Sequence, residues 1–387
     1  MWPYQIANDQ HAKPATNSTH WEYGSGIDIG KGSFQYMKAA AKLNRPASAQ
    51  PISAFASVLL GVVLLTNSAQ TAVSAELTEI KIGLLRSVQN GAVFIANEKG
   101  YFAIEGLAAK LTFFNTAQEI PVAVASHAAD FAAAGTTASL YTLANDGKLR
   151  VIAGAAHEAA GYQLYGLAVS RQTYQAGLKT FKDLPGHSVS IATVGAPSHY
   201  SLALIAERYG FDLSEVRILP LQSYANMVSA VSAGQADAGI IPATEMTSAI
   251  SHGALQIIGW IGDEVPWQVS VVFTAADTAN DRSDIVMRFL RAYRRGARDY
   301  HDAFALADGR RKNGPATAEI ASIIARYIGR PAEQIESEIA YVDPEARLDV
   351  KDILRQISWY RAQDLVDGPD NREETFDKRY VIPLPER

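Results

Sequence analysis

The chain has 387 residues, 48% hydrophobic and 19% charged, with a formal net charge of −5 and no cysteine. That length and apolar share support a large buried core in two domains or lobes and exclude a disordered chain. The missing cysteine excludes disulfides, a thiol nucleophile, a thiolate metal site and a lipidated cysteine after an export signal, and the acidic balance gives no basic surface for nucleic acid.

From Met37 the sequence runs to Glu76 without an acidic residue: Lys38, Lys42 and Arg45 precede the 14-residue apolar run "ISAFASVLLGVVLL" and then "TNSAQTAVSA". The run is too short for a comfortable membrane span, and Val73 and Ala75 fit the small-residue rule of signal peptidase. An export signal over 37–75, cleaved after Ala75, is expected, with residues 1–36 an extension that need not be translated. Five basic residues (Lys13, Lys31, Lys38, Lys42, Arg45) and three acidic ones (Asp9, Glu22, Asp28) lie before residue 76, leaving 30 against 37 and a mature charge near −7.

After Glu76, strand and helix alternate. "IKIGLL" (80–85) reads as a buried strand, "NGAVFIANEKGYF" (90–102) as a helix stopped by Gly100, and "KLTFFN" (110–115) as the next strand. A helix over "AQEIPVAVASH", a strand over "ADFAAAG", a helix capped by threonine over "TTASLYTLAND" and a strand over "RVIAGAA" follow. The rhythm resumes with "YQLYGLAVS" (162–170), the strand "HSVSIA", the helix "SHYSLALIAERYG" (198–210), then "VRILPL", "NMVSAVSAG", "ADAGII", "ATEMTSAISHG" and "LQIIGW". "VSVVFTA" (269–275) is a further strand, and "SDIVMRFLRAYRRGARDYHDAF" (283–304) is an amphipathic helix with Ile285, Val286, Phe289, Leu290, Tyr293, Ala297 and Tyr300 on one face. Its five arginines, Arg288, Arg291, Arg294, Arg295 and Arg298, read as a solvated face, and breaks at Gly314–Pro315 and Gly329–Pro331 divide the last helices.

"ASHAADFAAAGTTA" (125–138) and "SAGQADAGIIPATE" (232–245) share one plan, with Asp130 and Asp237 in matching places 107 residues apart. The same strand and helix unit is therefore expected once in each of two α/β sheets. In open α/β sheets the cleft lies at the carboxyl ends of strands, where loops present backbone amides and short polar side chains. Thr136 and Thr137 occupy that place in one copy, Thr244 and Glu245 in the other, with Ser87 and Gln89 after the first strand.

Gly195, Ala196, Pro197, Ser198 and His199 follow "HSVSIA"; either Ala196 or Ser198 caps the helix, and either choice aims a positive helix end at the cleft, suited to a carboxylate, sulfonate or similar anion. Arg86 is a candidate to neutralise that anion. Glu245 would oppose it unless it faces solvent or pairs with a cation. Trp267 and Tyr162 are candidates to hold a ring, whereas Tyr101 beside Phe102 reads as core.

His157 and Glu158 begin a zinc-protease spacing, but Gly161 stands where a second histidine would be required. No serine elbow, phosphate loop or dinucleotide glycine triplet is present in the sequence. No metal, cofactor or catalytic residue is assigned.

"IANEKGYFAIEGL" (95–107), "FKDLPG" (181–186), "VGAPSHYSLALIAERYGFD" (194–212) and "AVSAGQADAGIIP" (230–242) together resemble the extracytoplasmic solute-binding proteins of the nitrate, sulfonate, taurine and thiamine-precursor group. The resemblance implies an α/β, type II periplasmic-binding-protein fold: two Rossmann-like lobes joined by two crossing segments near Tyr165–Gly166 and Trp267–Val271, with a ligand cleft between. Lobe I would comprise 76–165 and 272–387, and lobe II 166–271. The implied pocket draws on Ser87, Gln89, Thr136, Thr137, Gly195 to His199, Thr244 and Glu245, to which the residues themselves add Arg86, His157 and Trp267.

The implied function is capture of a small anion (sulfonate, nitrate or aromatic carboxylate) by hinge closure, for delivery to the permease subunits of an ATP-driven importer, by a periplasmic monomer that is not an enzyme. Members with sulfonate-like ligands often carry an aromatic residue and a proline after the Asp-Ala strand, where this chain has "IIPATEM". Two alternatives stay open: an enzyme on the same fold, of thiamine-pyrimidine or menaquinone-pathway type, and a sensory module that presents its solute to a membrane receptor.

Overall fold

Thirteen strands appear in the computed structural model, which describes residues 76–385; the expected extension (1–36) and export leader (37–75) lie outside the described residues. In chain order they are β1 (Thr78–Leu84), β2 (Leu107–Phe113), β3 (Phe131–Gly135), β4 (Leu149–Gly154), β5 (Ala156–Glu158), β6 (Tyr165–Ser170), β7 (Ser188–Ile191), β8 (Arg217–Pro220), β9 (Ala238–Pro242), β10 (Leu255–Trp260), β11 (Trp267–Gln268), β12 (Ser270–Ala275) and β13 (Tyr341–Val342).

They form two five-stranded sheets of one topology. The first runs β2-β1-β3-β12-β4 and the second β8-β7-β9-β6-β10. In each, the first three strands are parallel and the last two pairings antiparallel. The fourth strand of each sheet comes from the far side of a crossing: β12 follows the whole second sheet, and β6 precedes the rest of it.

β3, β6, β9 and β12 are buried along their full length, so they read as continuous apolar runs rather than alternating ones, as strands covered on both faces do. The repeated aspartates have a structural role in this symmetry. Asp130, just before β3, accepts from the Lys81 amide of β1 at 2.8 Å, and Asp237, just before β9, accepts from the Ser188 amide of β7 at 2.7 Å. The separation in sequence is 49 residues in both cases. In each sheet a carboxylate just before one parallel strand satisfies an amide of its neighbour, mid-strand at Lys81 and at the strand start at Ser188.

β5, β11 and β13 make a separate three-stranded sheet in which Trp267 faces Glu158 and Gln268 faces His157. Both crossings between the large sheets pass through it. Strands of two or three residues carry no periodicity, so this sheet left no signal in the sequence.

The long helix Ser283–Phe304 buries the expected apolar face. Its arginines, expected to be solvated, also reach neighbouring elements, although Arg291 and Arg298 remain exposed. Arg291 pairs with Glu105 at 2.7 Å, Arg295 lies 4.0 Å above the Tyr101 ring, Arg294 donates to the Tyr380 carbonyl at 2.8 Å, Arg298 faces Glu345 at 3.5 Å and Arg288 donates to the Glu105 carbonyl at 3.5 Å. Arginine's long apolar stem lets its head reach past the helix surface to partners that sequence periodicity does not show.

Candidate functional site

Two helix starts, one beside each large sheet, meet tip to tip. After β3 the chain turns through Thr136 and Thr137 into the helix Ala138–Asn145; Thr137 caps it, its Oγ1 accepting from the Leu140 amide at 3.2 Å. After β7 it turns through Gly195 into the helix Pro197–Tyr209, with Ala196 in the cap position and Pro197 first in the helix. Of the two expected caps, Ala196 is the one adopted; the Ser198 hydroxyl instead accepts from the Ala192 amide at 3.2 Å.

Across the seam the Ala138 amide donates to the Gly195 carbonyl at 3.0 Å. Gly195 has φ +78°, and a Cβ added there would lie 2.8 Å from the Ala138 Cβ; one added at Gly135 would lie 2.8 Å from Pro197 Cγ. Glycine is needed at Gly195 for both reasons: the left-handed backbone and the closeness of the opposite loop. The Gly195 amide donates to His199 Nδ1 at 3.2 Å, which fixes the acceptor nitrogen of that ring. Burial alone pushes the imidazole down to about 4, so it is neutral at ordinary pH.

Further contacts rim the seam. The Gln118 side-chain amide donates to Thr193 Oγ1, and buried Gln89 donates to the Tyr165 hydroxyl at 3.2 Å, which in turn sits 3.1 Å from the Tyr224 hydroxyl. Glu245 pairs with Arg330 at 2.8 Å, so its charge is answered by a cation, and the neighbouring Thr247 hydroxyl donates to Glu338. Thr244 is buried at the start of the same helix, Ala243–Ser251.

The candidates are therefore dispersed in a definite way. Gln89, Thr136, Thr137 and Gly195 to His199 gather on the facing loops, and Ser87 caps the turn that carries Gln89. Arg86 turns away from its expected partner: it donates to the Tyr327 carbonyl at 2.6 Å and covers the Phe113 ring at 4.0 Å. His157 and Trp267 stand on the small crossing sheet, His157 edge-on to Tyr341 at 5.8 Å and Trp267 edge-on to Tyr200 at 5.1 Å. Tyr162 is buried there as well, donating to the Gly309 carbonyl at 3.1 Å. Tyr101, expected as core, is half-buried and donates to Asp299 at 2.6 Å. His157 and Trp267 also line a groove of about 1460 Å³ that is walled by the C-terminal segment, including Phe376 and Leu384.

Sequence reasoning missed Gln118, Thr193, Tyr165 and Tyr224 at the seam, and Tyr200, Trp359 and Tyr360 behind it. Tyr165 opens a recognised strand and Tyr200 sits in a recognised helix, so aromatic residues within a turn of a predicted cleft loop were the available signal. Among the described residues no group of His, Asp and Glu is arranged to hold a metal, and no helix is long and apolar enough to cross a membrane.

The NMT1/THI5-like sequence profile matches residues 88–303, more than half of the chain. No curated protein sequence matches significantly. Solved structures share the fold at low identity. The periplasmic aliphatic sulphonate binding protein SsuA from Escherichia coli is 15% identical with a TM-score of 0.60, over 80% of this chain and 94% of that one. The alkanesulfonate-binding protein SsuA from Xanthomonas axonopodis pv. citri, bound to MOPS, is 17% identical with a TM-score of 0.59, over 80% of this chain and all (100%) of that one. The periplasmic nitrate-binding protein NrtA from Synechocystis PCC 6803 is 13% identical with a TM-score of 0.55, over 77% and 84%. The chain belongs to the NMT1/THI5-like family and has the periplasmic-binding-protein fold.

Proposed function

We propose that this protein is the extracytoplasmic solute-binding component of an ATP-driven importer, exported by the leader at 37–75 and cleaved after Ala75. It captures one small solute between its lobes and releases it unchanged to a membrane permease. The observation that carries this reading is the Ala138 to Gly195 hydrogen bond: a helix-start amide from one lobe meets a loop carbonyl of the other. Contacts of that kind exist only when the lobes are together, so a solute touching both loops shifts the population toward the closed form.

A small anion, of sulfonate, nitrate or aromatic carboxylate type, fits the electrostatics of the seam. Two helix N-termini point into it, each carrying partial positive charge. The charge of Glu245, on the helix Ala243–Ser251, is answered by Arg330. With Arg86 committed elsewhere, the anion would be held by backbone amides and by Thr137, Ser198 and Gln89 rather than by an arginine. A neighbouring-sheet crossing through β5 and β11 supplies the hinge.

The reading is tested by a thermal-shift screen against sulfonates, nitrate, aromatic carboxylates and pyrimidines, since a ligand bound only by the native state raises the melting temperature. A rise with one class, weakened in Thr137→Ala and Ser198→Ala, is expected. A hit unaffected by both substitutions places the pocket elsewhere, and turnover of the hit makes the protein an enzyme.

A further inference from the structure

The helix Val350–Ala362 touches three parts of the molecule, and its two sides are held by very different chemistry. On one side it is fastened to the crossing strand β11 and to the first lobe by buried hydrogen bonds. The Gln268 amide donates to Asp352 at 2.9 Å, Gln356 donates to the Gln268 carbonyl at 2.8 Å, and the Tyr141 hydroxyl donates to Gln356 at 2.7 Å. Gln268 and Gln356 are fully buried, so breaking this side would strand polar groups away from water.

The other side faces the second-lobe helix Pro197–Tyr209 through rings and one ion pair rather than buried hydrogen bonds, with buried Tyr360 stacked 6.1 Å from buried Tyr200. Trp359 stands edge-on to His199 at 5.0 Å and to Tyr200 at 5.3 Å, and Arg355 reaches Glu207 at 2.5 Å. Trp359 is only half-buried, and Arg355 and Glu207 are both exposed. Ring contacts and an exposed ion pair separate without breaking a buried hydrogen bond, so this side can part while the first stays fixed.

We infer that the helix Val350–Ala362 is a clasp, anchored to the crossing strand and the first lobe, whose Trp359 face closes on the second lobe and sets how far the empty protein is shut. This deepens the solute-binding reading and rests on it, because the clasp regulates the same seam. Trp359 acts as a positioning residue: the apparent solute affinity scales with the fraction of protein in the closed, binding-competent form.

The chain has no cysteine, so a Val122→Cys, Gln235→Cys pair, at exposed positions on the first and second lobes, accepts spin labels at those sites alone. Pulsed electron-spin distance measurement on the empty full chain is expected to show a longer, broader interlobe distance in Trp359→Ala, with Trp359→Phe close to the parent. Solute affinity should fall several-fold in Trp359→Ala and recover in Trp359→Phe. If Trp359→Ala does not fold, Arg355→Glu replaces it: the distance should lengthen, and Glu207→Arg in the same chain should restore it.

An unchanged distance distribution in the empty Trp359→Ala protein, or in Arg355→Glu where that variant replaces it, overturns the clasp. A parent protein that binds none of the solutes overturns the solute-binding reading instead, while the distances still decide the clasp.

Discussion

The Ala138 amide and the Gly195 carbonyl, 57 positions apart in the chain and beside different large sheets, are joined by a 3.0 Å hydrogen bond. The loop that makes this approach possible depends on a residue without a side chain. Gly195→Ala should both strain the φ +78° backbone, by about 1 kcal/mol, and drive a methyl into Ala138. The expected result is a fold close to the parent by circular dichroism, a larger radius of gyration by small-angle scattering, and at least tenfold weaker solute binding.

His199 ties that loop to pH. Burial holds its imidazole down to about 4, below the ordinary value near 6.5, so the folded protein keeps it neutral over a range where the unfolded chain protonates it. Its contribution is present above pH 6.5 and is lost as pH falls through about 4. Denaturation curves should show stability declining over that window, by about 3 kcal/mol from this group. His199→Asn, which keeps an acceptor for the Gly195 amide and does not titrate, should flatten the decline.

Asp352 has the opposite sign. Burial pushes its carboxyl up to about 6, against hydrogen bonds from Gln356 and Gln268 that pull it down. A raised folded value favours the protonated form, so its contribution is full below about pH 3.8 and is lost as pH rises through about 6. Asp352→Asn should therefore raise the melting temperature at pH 8 and leave it little changed at pH 4. A lower melting temperature at both pH values would mean that the charge itself is needed where the helix meets β11.

The twin aspartates make a paired prediction. Asp130→Ala and Asp237→Ala each leave a strand amide without its carboxylate, costing roughly 1–3 kcal/mol in urea denaturation. Asp130 also meets Arg282 at 2.9 Å, and Asp237 also accepts from the Ser188 hydroxyl at 2.6 Å, so the two costs should be comparable.

How far these features could be read beforehand depends on the range of the interaction behind them. Local patterns were legible: the Thr137 cap, the Gly100 stop, the apolar face of Ser283–Phe304 and the doubled aspartate stretch all follow from neighbours within a turn or a strand. The doubling identified one unit per sheet, though the sequence did not tell that each aspartate accepts from an amide of the adjacent parallel strand, because that partner lies 49 residues away. Arg86 was placed beside the cleft on strand order alone, and its side chain instead found a carbonyl 241 residues distant. Gln268, Asp352 and Gln356 are unremarkable as letters; their meaning comes from burial between a two-residue strand and a helix near the end of the described chain.

Native mass spectrometry of the intact protein with a panel of sulfonates, nitrate and aromatic carboxylates tests solute capture most directly. A 1:1 adduct with one class, lost in Gly195→Ala, with the solute recovered at unchanged mass, is the predicted result. Absence of any adduct, or recovery of the solute at altered mass, would contradict a protein that traps its ligand without transforming it.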